Sequence, residues 1–386
     1  QKGKETIKKL KTLTGITILS VLSSILNPNW FKGLLYPFTV FSNYGVTIAE
    51  NQTITTLQAT GFVNPDFLFM GLCLMVIGLA FFVGLMMSRV TFKNIAILGL
   101  GIVLACQSIR GFPYLFFLSL PIVLVYLQFK KETLWSNALS GFFVLLLFIE
   151  SFYYLSGIYY QVTYRNPSPV LVATEDAKPA LDFLLLHKLP QPIFNNFDIG
   201  SYIIYRTFPD YQVYVDGRPE AYPASFLQQT YLPMQEDYKI FEQEEKKYGF
   251  KTVIFSIADQ NPATVHFLKS IIHDAAWDIV YLDYFMIILV KHDVTPKLHV
   301  SEIKLDTLDA RNYTYSQVVQ YTYLSTFLYN MNYYDQAKKI NQKALDLVPD
   351  NPSANRVMAN ILLRDERPNL NRVYYHLSKS KNKVFW

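Results

Sequence analysis

Cysteine is nearly absent from this sequence, and histidine is scarce. The 386 residues contain two cysteines and six histidines. Both cysteines, Cys73 and Cys106, lie inside apolar runs, where a thiol usually packs as a small hydrophobic side chain. The pattern therefore does not indicate a disulfide framework or a metal pair. No Gly-x-Ser-x-Gly motif occurs either, which makes a soluble hydrolase the least favoured class of function.

Charge is also scarce, and its distribution is uneven. Charged residues make up 17% of the chain, and most of them lie at the two ends or in the second half. Apolar residues are concentrated before residue 161, and the many tyrosines and phenylalanines are typical of chains that contact lipid and headgroups. The net charge of +5 is small and dispersed, so no nucleic-acid partner is predicted.

Five apolar stretches predict membrane spans, because a helix of about 20 apolar residues crosses the hydrocarbon core of a bilayer. The break at Gly111-Phe112-Pro113 separates two of them, since proline ends or kinks a helix. We therefore expect a polytopic α-helical membrane domain over residues 1–160. The predicted spans are 13–26, 67–87, 95–112, 114–129 and 142–159.

Basic residues set the expected orientation of these spans. They precede the first span, separate the second from the third and follow the fourth, whereas the loop 27–66 carries a single lysine. The positive-inside rule then places the basic loops in the cytoplasm and delivers the chain outside after the fifth span. We expect a multi-pass integral membrane protein whose soluble half is extracytoplasmic.

The chain begins at Gln1 and enters a lysine-rich stretch. This start does not show the apolar core and small-residue cleavage site of a signal peptide. We therefore expect the chain to be the C-terminal part of a longer protein.

After residue 161 the pattern changes to alternating strands and helices, which favours an α/β sheet with helices on both faces. We expect this extracytoplasmic α/β domain over residues 161–298. The charged segment 236–247 predicts a solvated helix face. Strands are predicted over 192–197, 212–216 and 251–256, two more within 277–290 around Asp283, and helices over 180–188, 201–207 and 262–273.

The tail over 313–386 has a helix-pair period. Ser325 occupies a position that requires a small residue, and Met358 begins a second, weaker repeat. One and a half repeats cannot bury a continuous core, so further repeats or docking on the α/β domain are required. Two ordinary packed helices are the alternative. The residues that match the spacing of a tetratricopeptide repeat are Tyr321, Leu324, Ala337, Ala344 and Pro349.

Two ionisable residues lie beside the predicted spans. Glu50 lies in the external loop and is a candidate neighbour of a metal, a substrate or a lipid phosphate, with a solvated loop carboxylate as the alternative. Arg110 lies at the outer end of the third span, and an unpartnered charge at membrane depth costs about 2.5–3.5 kcal/mol. Snorkelling to water and pairing with a lipid phosphate both explain it.

Polar clusters end two adjacent predicted strands. Asn196, Asp198 and Gly200 follow the first strand, and Asp198 is also a candidate N-cap of the next helix. Asp216 and Arg218 close the second strand, at the sheet edge where α/β proteins place ligand-binding side chains. An Asp-Gly turn with a surface arginine–glutamate pair is the alternative. Two clusters on neighbouring strand ends favour ligand binding.

In their order, these motifs resemble the C-terminal half of GT-C-type membrane glycosyltransferases, especially the catalytic subunit of oligosaccharyltransferases. The segment 47–50 is similar to that family's Thr-Ile-x-Glu motif, and Arg110 is similar to its arginine beside a helix break and a proline. The segment 196–200 keeps the Asp and Gly of Trp-Trp-Asp-Tyr-Gly, and a second Asp-Gly follows at Asp216. The resemblance covers roughly 43–222.

Asn196 and Phe197 replace both tryptophans of that family motif. Glycosylation of asparagine in proteins is therefore not implied. The patterns NFDxGxY and VDGR are closer to those of broadly distributed bacterial GT-C-type membrane proteins.

The resemblance implies transfer of a sugar from a polyprenyl-phosphate or pyrophosphate carrier in the membrane to an extracytoplasmic acceptor. Arg110 would neutralise the departing lipid phosphate, and Glu50 would orient the acceptor or hold a divalent cation, Mg²⁺ or Mn²⁺. The implied catalytic aspartate belongs to an upstream loop that this sequence does not include. The acceptor would contact Asn196, Asp198, Gly200, Asp216 and Arg218.

A non-catalytic protein is the alternative function. It would be anchored in the membrane and would hold a partner through the α/β domain and the tail. Tetratricopeptide-like tails usually bind peptides or proteins, so a protein partner at the tail is expected under either function.

Overall fold

The computed structural model describes residues 2–39, 45, 48–59, 66–126, 176–308 and 317–380, with scattered positions between 141 and 156. Its described residues are mostly helical, with one small mixed sheet. The N-terminal helices α1 to α6 precede the sheet. They are Lys2–Ser23, Trp30–Thr39, Ile54–Ala59, Asp66–Met86, Phe92–Gln107 and Phe112–Tyr126.

Within the described part of the chain, one continuous helical stretch, Ile109–Tyr126, is long and apolar enough to cross a membrane. Leu10–Ser23, Met70–Met86 and Phe92–Gln107 are shorter apolar helices. These four stretches overlap the first four predicted spans. The predicted fifth span, 142–159, lies largely outside the described residues.

The break between the third and fourth predicted spans lies earlier than expected. Helix α5 ends at Gln107, a short 3₁₀ turn covers Ile109–Gly111, and α6 begins at Phe112. Pro113 therefore occupies the first turn of α6, where its missing N–H removes no helical hydrogen bond. Arg110 lies on the 3₁₀ turn and not on a helix end, which corrects its predicted position.

Small residues allow α4, α5 and α6 to pack closely. A Cβ on Gly101 would lie 3.1 Å from the Leu115 Cα, and one on Gly84 would lie 2.7 Å from the Tyr126 ring. Arg89 donates to the Val125 and Tyr126 carbonyls at 3.1 Å each, which satisfies the end of α6. The outward surfaces of these helices expose large apolar side chains. Examples are Leu79, Phe82, Phe117 and Leu124.

Four strands form the sheet in the order β1-β2-β4-β3. β1 and β2 are parallel, and the other two pairs are antiparallel. Two strands meet around Asp283 as predicted, because its carboxylate accepts from the backbone N–H groups of Phe285 and Met286 at 2.7 Å and closes the turn. The strands are Ile193–Asn195, Thr252–Ser256, Trp277–Leu282 and Met286–Lys291.

The predicted strand over 212–216 is wrong, because this segment joins no backbone ladder. Side chains hold it beside β1 instead. Asn195 Oδ1 accepts from Tyr214 N at 2.9 Å and Asn195 Nδ2 donates to Val215 O at 2.8 Å. At the other end of β1, Gln191 Oε1 accepts from Gln212 N at 3.0 Å. The segment is extended, and side-chain amides replace the backbone partners of a strand.

Helices cover both faces of the sheet. Phe194, Val253 and Leu289 face one side, and their sequence neighbours face the other, as the period of two in a strand requires. Helix α8 begins at Phe197, earlier than predicted. Helix α9 consists of three consecutive segments, Ala224–Phe226, Leu227–Tyr231 (π-helical) and Leu232–Glu236. The other helices are α7 (Lys178–Leu186), α8 (Phe197–Thr207), α10 (Tyr238–Tyr248) and α11 (Pro262–Ile271).

The tail forms two helix pairs. Tyr321, Leu324, Ala337 and Ala344 are buried, as the repeat spacing predicts. Ser325 donates to Asn341 Oδ1 at 3.1 Å inside the first pair. The helix pairs agree with the predicted period, and membership of the tetratricopeptide class stays a prediction. The helices α12 to α15 are Gln317–Asn330, Tyr334–Leu347, Pro352–Leu362 and Leu370–Ser380.

The tail docks on the α/β domain. Leu324, Phe327 and Leu328 belong to the same buried cluster as Phe255 and Phe267 below the sheet. At the rim of this contact, a lysine of α11 donates to the Asn332 Oδ1 at 3.0 Å. Docking supplies the core that two helix pairs lack by themselves.

A mutation in the tail should therefore weaken the sheet. We expect Phe327→Ala to lower the free energy of unfolding by about 3–5 kcal/mol, because it leaves a cavity in a shared core. Amide hydrogen exchange should become faster in β2 as well as in α12. The control is Tyr374→Ala, at a side chain that is 65% exposed. Unchanged exchange in β2 would contradict a shared core.

Candidate functional site

Glu50 and Arg110 form an ion pair, although 60 positions separate them in the chain. Arg110 Nε donates to Glu50 Oε2 at 2.8 Å, and Arg110 Nη2 donates to the same oxygen. Two short 3₁₀ turns, Ala49–Asn51 and Ile109–Gly111, carry these side chains. The backbone joins the turns too, because Ile109 N donates to Gln52 O at 3.0 Å.

This pair gives Arg110 the anionic partner that its neighbours in sequence do not provide. The side chains of Arg110 and Glu50 are 54% and 64% exposed. An ion pair with this exposure contributes about 0–1 kcal/mol to stability. Both groups therefore remain accessible to a charged ligand, and the pair costs little to rearrange.

The loop that precedes Glu50 also touches the α/β domain. A Cβ on Gly45 would lie 2.9 Å from Ala224 O and 3.2 Å from the Leu227 Cβ, at the start of α9. Gly45 has a φ of +72°, a backbone conformation that glycine adopts without strain. The loop that carries Glu50 thus meets the helix that directly follows the Asp216–Arg218 cluster.

Asn196 connects the ends of the two parallel strands. Its Oδ1 accepts from Ser256 N at 3.2 Å, and its side chain is buried. It occupies the N-cap position of α8 without capping it, because the amide oxygen is engaged by β2. The prediction that Asp198 caps this helix is wrong, since Asp198 lies within the first turn.

Asp198 faces a second carboxylate that the sequence-based prediction missed. Burial, followed by repulsion from Asp259, raises the pKa of Asp198. Asp259 accepts from Thr264 Oγ1 at 2.9 Å, and the same hydroxyl lies 3.0 Å from Gln235 Oε1. Asp259 follows β2, so its place after a strand is the signal that identifies it, as for Asp216.

Gly200 is required by a close crossing of α8 over the extended segment. A Cβ on Gly200 would overlap the Val215 carbonyl oxygen and would lie 2.7 Å from the Asp216 Cα. One residue later, Ser201 Oγ accepts from Gly217 N at 3.3 Å. These contacts bring the two predicted polar clusters together.

Asp216 and Arg218 form a closed turn. The buried Asp216 carboxylate accepts from Arg218 N at 3.0 Å, Nε at 2.9 Å and Nη2 at 2.6 Å. Arg218 therefore pairs with Asp216, and not with the glutamate of the predicted surface pair. Hydrogen bonding by Arg218 lowers the pKa of Asp216, against the effect of burial. The Tyr222 hydroxyl accepts from Asp216 N at 3.1 Å, and its ring stacks on Phe226.

The two candidate regions converge on α9 without direct pairing. Gly45 contacts the first turn of α9, and Tyr222 reaches the same turn from the Asp216 side. Across the residues that the structure describes, no hydrogen bond or ion pair joins the Glu50–Arg110 pair to Asp198, Asp216 or Arg218.

The described residues do not provide a complete metal site. They contain no group of three or more His, Cys, Asp or Glu side chains placed to hold an ion. Glu50 supplies one carboxylate, and the oxygen Oε2 already accepts both hydrogen bonds from Arg110. The cation that the resemblance implies therefore does not fit these residues alone, and no chemical step below uses it.

Comparison with known proteins identifies no relative. No family model, curated protein or solved structure matches the chain. Function is therefore inferred from the residues and their contacts.

The close crossing at Gly200 should be intolerant of a side chain. We expect Gly200→Ala to destabilise the α/β domain by about 2 kcal/mol or more, because backbone atoms of 215–216 must move. Gly217→Ala is the matched control, since its Cβ would meet only Ser201 Oγ at 3.3 Å. Thermal unfolding followed by circular dichroism measures the difference. Equal midpoints for the two variants would contradict the crossing.

Asp216 and Asp198 should have opposite effects on stability as pH changes. The pKa of Asp216 is lowered, so its contribution is present above the unfolded value of about 3.9 and is lost as pH falls through the folded value. The pKa of Asp198 is raised above its unfolded value. Ionisation of Asp198 therefore destabilises the fold as pH rises from the unfolded pKa of about 3.9 through the folded pKa. We expect Asp216→Asn to be destabilised at neutral pH and Asp198→Asn to be stabilised.

Urea unfolding at a series of pH values measures both effects. The free energy of unfolding of the wild type should fall below about pH 4, and that of Asp216→Asn should fall less over the same range. Asp198→Asn is the control of opposite sign, and because the Asp198 side chain is only partly shielded from solvent, the gain in stability should be small. A change of the same sign in both variants at neutral pH would contradict the assignment.

Proposed function

We propose that this chain is part of a GT-C-type membrane glycosyltransferase that moves a sugar from a polyprenyl-phosphate or pyrophosphate donor to an extracytoplasmic acceptor. The contact between Glu50 and Arg110 is the observation that carries the proposal. The two residues belong to separate motifs, and a functional unit requires them to meet. The resemblance assigns the catalytic aspartate to a loop outside this sequence.

A multi-pass membrane domain is part of the same proposal. The large apolar side chains on the outer surfaces of α4 to α6 support it, because lipid is the solvent in which such surfaces are stable. Close packing through Gly84 and Gly101 is also typical of membrane helices. The basic loops at alternate positions support an extracytoplasmic position for the α/β domain.

The contact of Gly45 with α9 supports an external position for the α/β domain. This contact is consistent with a common side of the membrane for the loop between the first two proposed spans and the α/β domain. Arg110 pairs with a residue of that loop, which supports the same side for its guanidinium.

In the proposed reaction, the residues of this chain act by electrostatics and positioning. The Arg110 guanidinium presents a planar fork of N–H donors to the departing phosphate. Glu50 holds that fork in place until the phosphate competes for it. Preorganised charge aimed at a developing anion is commonly the largest catalytic contribution of an enzyme.

The acceptor would bind along α8 and the Asp216 turn. Asp198 offers a carboxylate at the start of α8, and the exposed face of the Arg218 guanidinium offers hydrogen-bond donors at the Asp216 turn. Asn196 and Gly200 position these groups through their contacts with β2 and Val215.

A membrane-anchored binding or assembly protein is the second candidate. The docked tail favours it, because buried apolar side chains of α12 to α15 continue the core of the α/β domain. This function requires neither the Glu50–Arg110 pair nor an upstream aspartate.

Sugar transfer in membranes tests the first proposal. Membranes with the full-length protein receive a radiolabelled polyprenyl-linked sugar, and label in the acceptor fraction is measured. We expect Arg110→Ala to reduce turnover by about 10²–10³-fold, the usual effect of removing an electrostatic catalytic group. Glu50→Gln should also reduce it, and Arg110→Lys should reduce it less than Arg110→Ala.

The matched control is Arg356→Gln, which removes an exposed arginine of the tail. Unchanged turnover in both Arg110→Ala and Glu50→Gln would remove these residues from the mechanism. The proposal also fails if a cysteine introduced at the exposed Tyr205 is protected from an impermeant thiol reagent in intact cells.

A further inference from the structure

A polar groove lies between the second helices of the two tail pairs, α13 and α15. It encloses about 450 Å³ and is open to solvent, a volume within the usual range for binding sites. None of the motifs considered above contributes to it. Its lining residues are Gln342, Asn369, Asn371, Arg372, Tyr375 and His376.

Arg372 gives the groove a positive charge that is not balanced locally. Among the described residues, no carboxylate lies within 4.0 Å of its guanidinium. Two acidic side chains of the tail have other partners, since Asp350 accepts from Lys379 at 2.7 Å and Asp346 accepts from Gln342 at 2.8 Å. An anionic ligand would therefore meet a guanidinium with its donors available.

Hydrogen bonds inside the tail determine what the amides present to the groove. Asn369 Oδ1 accepts from Arg372 N at 3.2 Å at the start of α15, which leaves the Asn369 NH₂ group as a donor. Gln342 Nε2 donates to Asp346, which leaves the Gln342 Oε1 as an acceptor. The groove thus combines a cation with amide donors and acceptors.

His376 contributes a neutral ring to the floor. Its Nδ1 lies 2.8 Å from Asn355 Oδ1. The Asn355 Nδ2 donates to Pro349 O and Asn351 O, so the Asn355 oxygen must accept and the imidazole Nδ1 carries the proton. Burial, followed by the charge of Arg372, lowers the pKa of His376. Arg372 is therefore the cation of this groove at neutral pH.

These features select a peptide carboxylate over a phosphate. Sites that bind phosphorylated groups usually cluster several arginines, whereas this groove has one. Three primary amides match the alternating donors and acceptors of a peptide backbone. The ring of Tyr375, which is 53% exposed, adds a flat apolar surface for a neighbouring side chain.

We propose that the groove between α13 and α15 binds an acidic segment of a partner protein, with Arg372 paired to a carboxylate side chain. The amides of Gln342, Asn369 and Asn371 hold the backbone of that segment. The proposal specifies the partner chemistry of the tail and does not depend on sugar transfer. Failure of peptide binding leaves the transfer assay unaffected, and loss of transfer leaves peptide binding unaffected.

Peptide binding to the detergent-solubilised full chain tests the groove. The probe is a fluorescein-labelled decapeptide of alternating glutamate and glycine, and its counterpart carries glutamine in place of glutamate. Fluorescence anisotropy at low ionic strength should show about tenfold tighter binding of the glutamate peptide, since bidentate pairing requires the carboxylate. Arg372→Gln should remove this difference, and Arg372→Lys should retain part of it.

Arg356→Gln is the matched control, because it removes the same charge from an exposed position on α14. It should leave the affinity within about twofold of wild type. Asn371→Ala provides a second variant, with weaker binding expected and an unchanged unfolding midpoint, so the test does not rest on Arg372 alone.

Three outcomes would overturn the proposal. The first is equal affinity for the glutamate and glutamine peptides. The second is an affinity for the glutamate peptide that Arg372→Gln leaves unchanged. The third is a ligand of another class, shown by complete displacement of the peptide by millimolar inorganic phosphate or by Arg372-dependent capture on vesicles of anionic phospholipid.

Discussion

The buried side-chain amide of Asn195 positions the polar half of the α/β domain. It donates to Val215 O and Asn196 O and accepts from Tyr214 N. A buried polar group left without its partners costs about 1–3 kcal/mol, so the extended segment beyond Tyr211 is held beside β1. The crossing of Gly200 over Val215 and the closed Asp216–Arg218 turn both follow from this placement.

Coverage of the sheet is the second constraint. The four strands bury nearly all their side chains on both faces, and α9 to α11 do not complete the core on one side. The tail completes it, because Leu324, Phe327 and Leu328 pack into the cluster around Phe255. Helix α12 supplies this contact, whereas α13 and α15 border the polar groove. The same tail thus packs against the core of the α/β domain and carries a groove that is open to solvent.

Sequence patterns identified candidate functional residues more reliably than the contacts between those residues. Glu50 and Arg110 belong to separate motifs of the sequence, and folding places one beside the other. The segment 212–216 has the composition of a strand, but side-chain amides and not a ladder hold it, and no local pattern distinguishes the two. Capping of α8 was the alternative role predicted for Asp198, but α8 begins earlier than predicted and Asn196 occupies its N-cap position. Asp259 is followed by Gln260 and belongs to no Asp-Gly motif, so no motif identified it.

The sequence by itself determined the features that depend on near neighbours in the chain. These include the apolar helices before residue 127, the turn at Asp283 and the helix pairs of the tail, since periodicity and short-range hydrogen bonds act over a few residues. Only the tertiary structure decided which distant groups meet, such as Glu50 with Arg110 and Asp198 with Asp259. Electrostatic and hydrogen-bond energies depend on separation in space, and separation along the chain does not specify it.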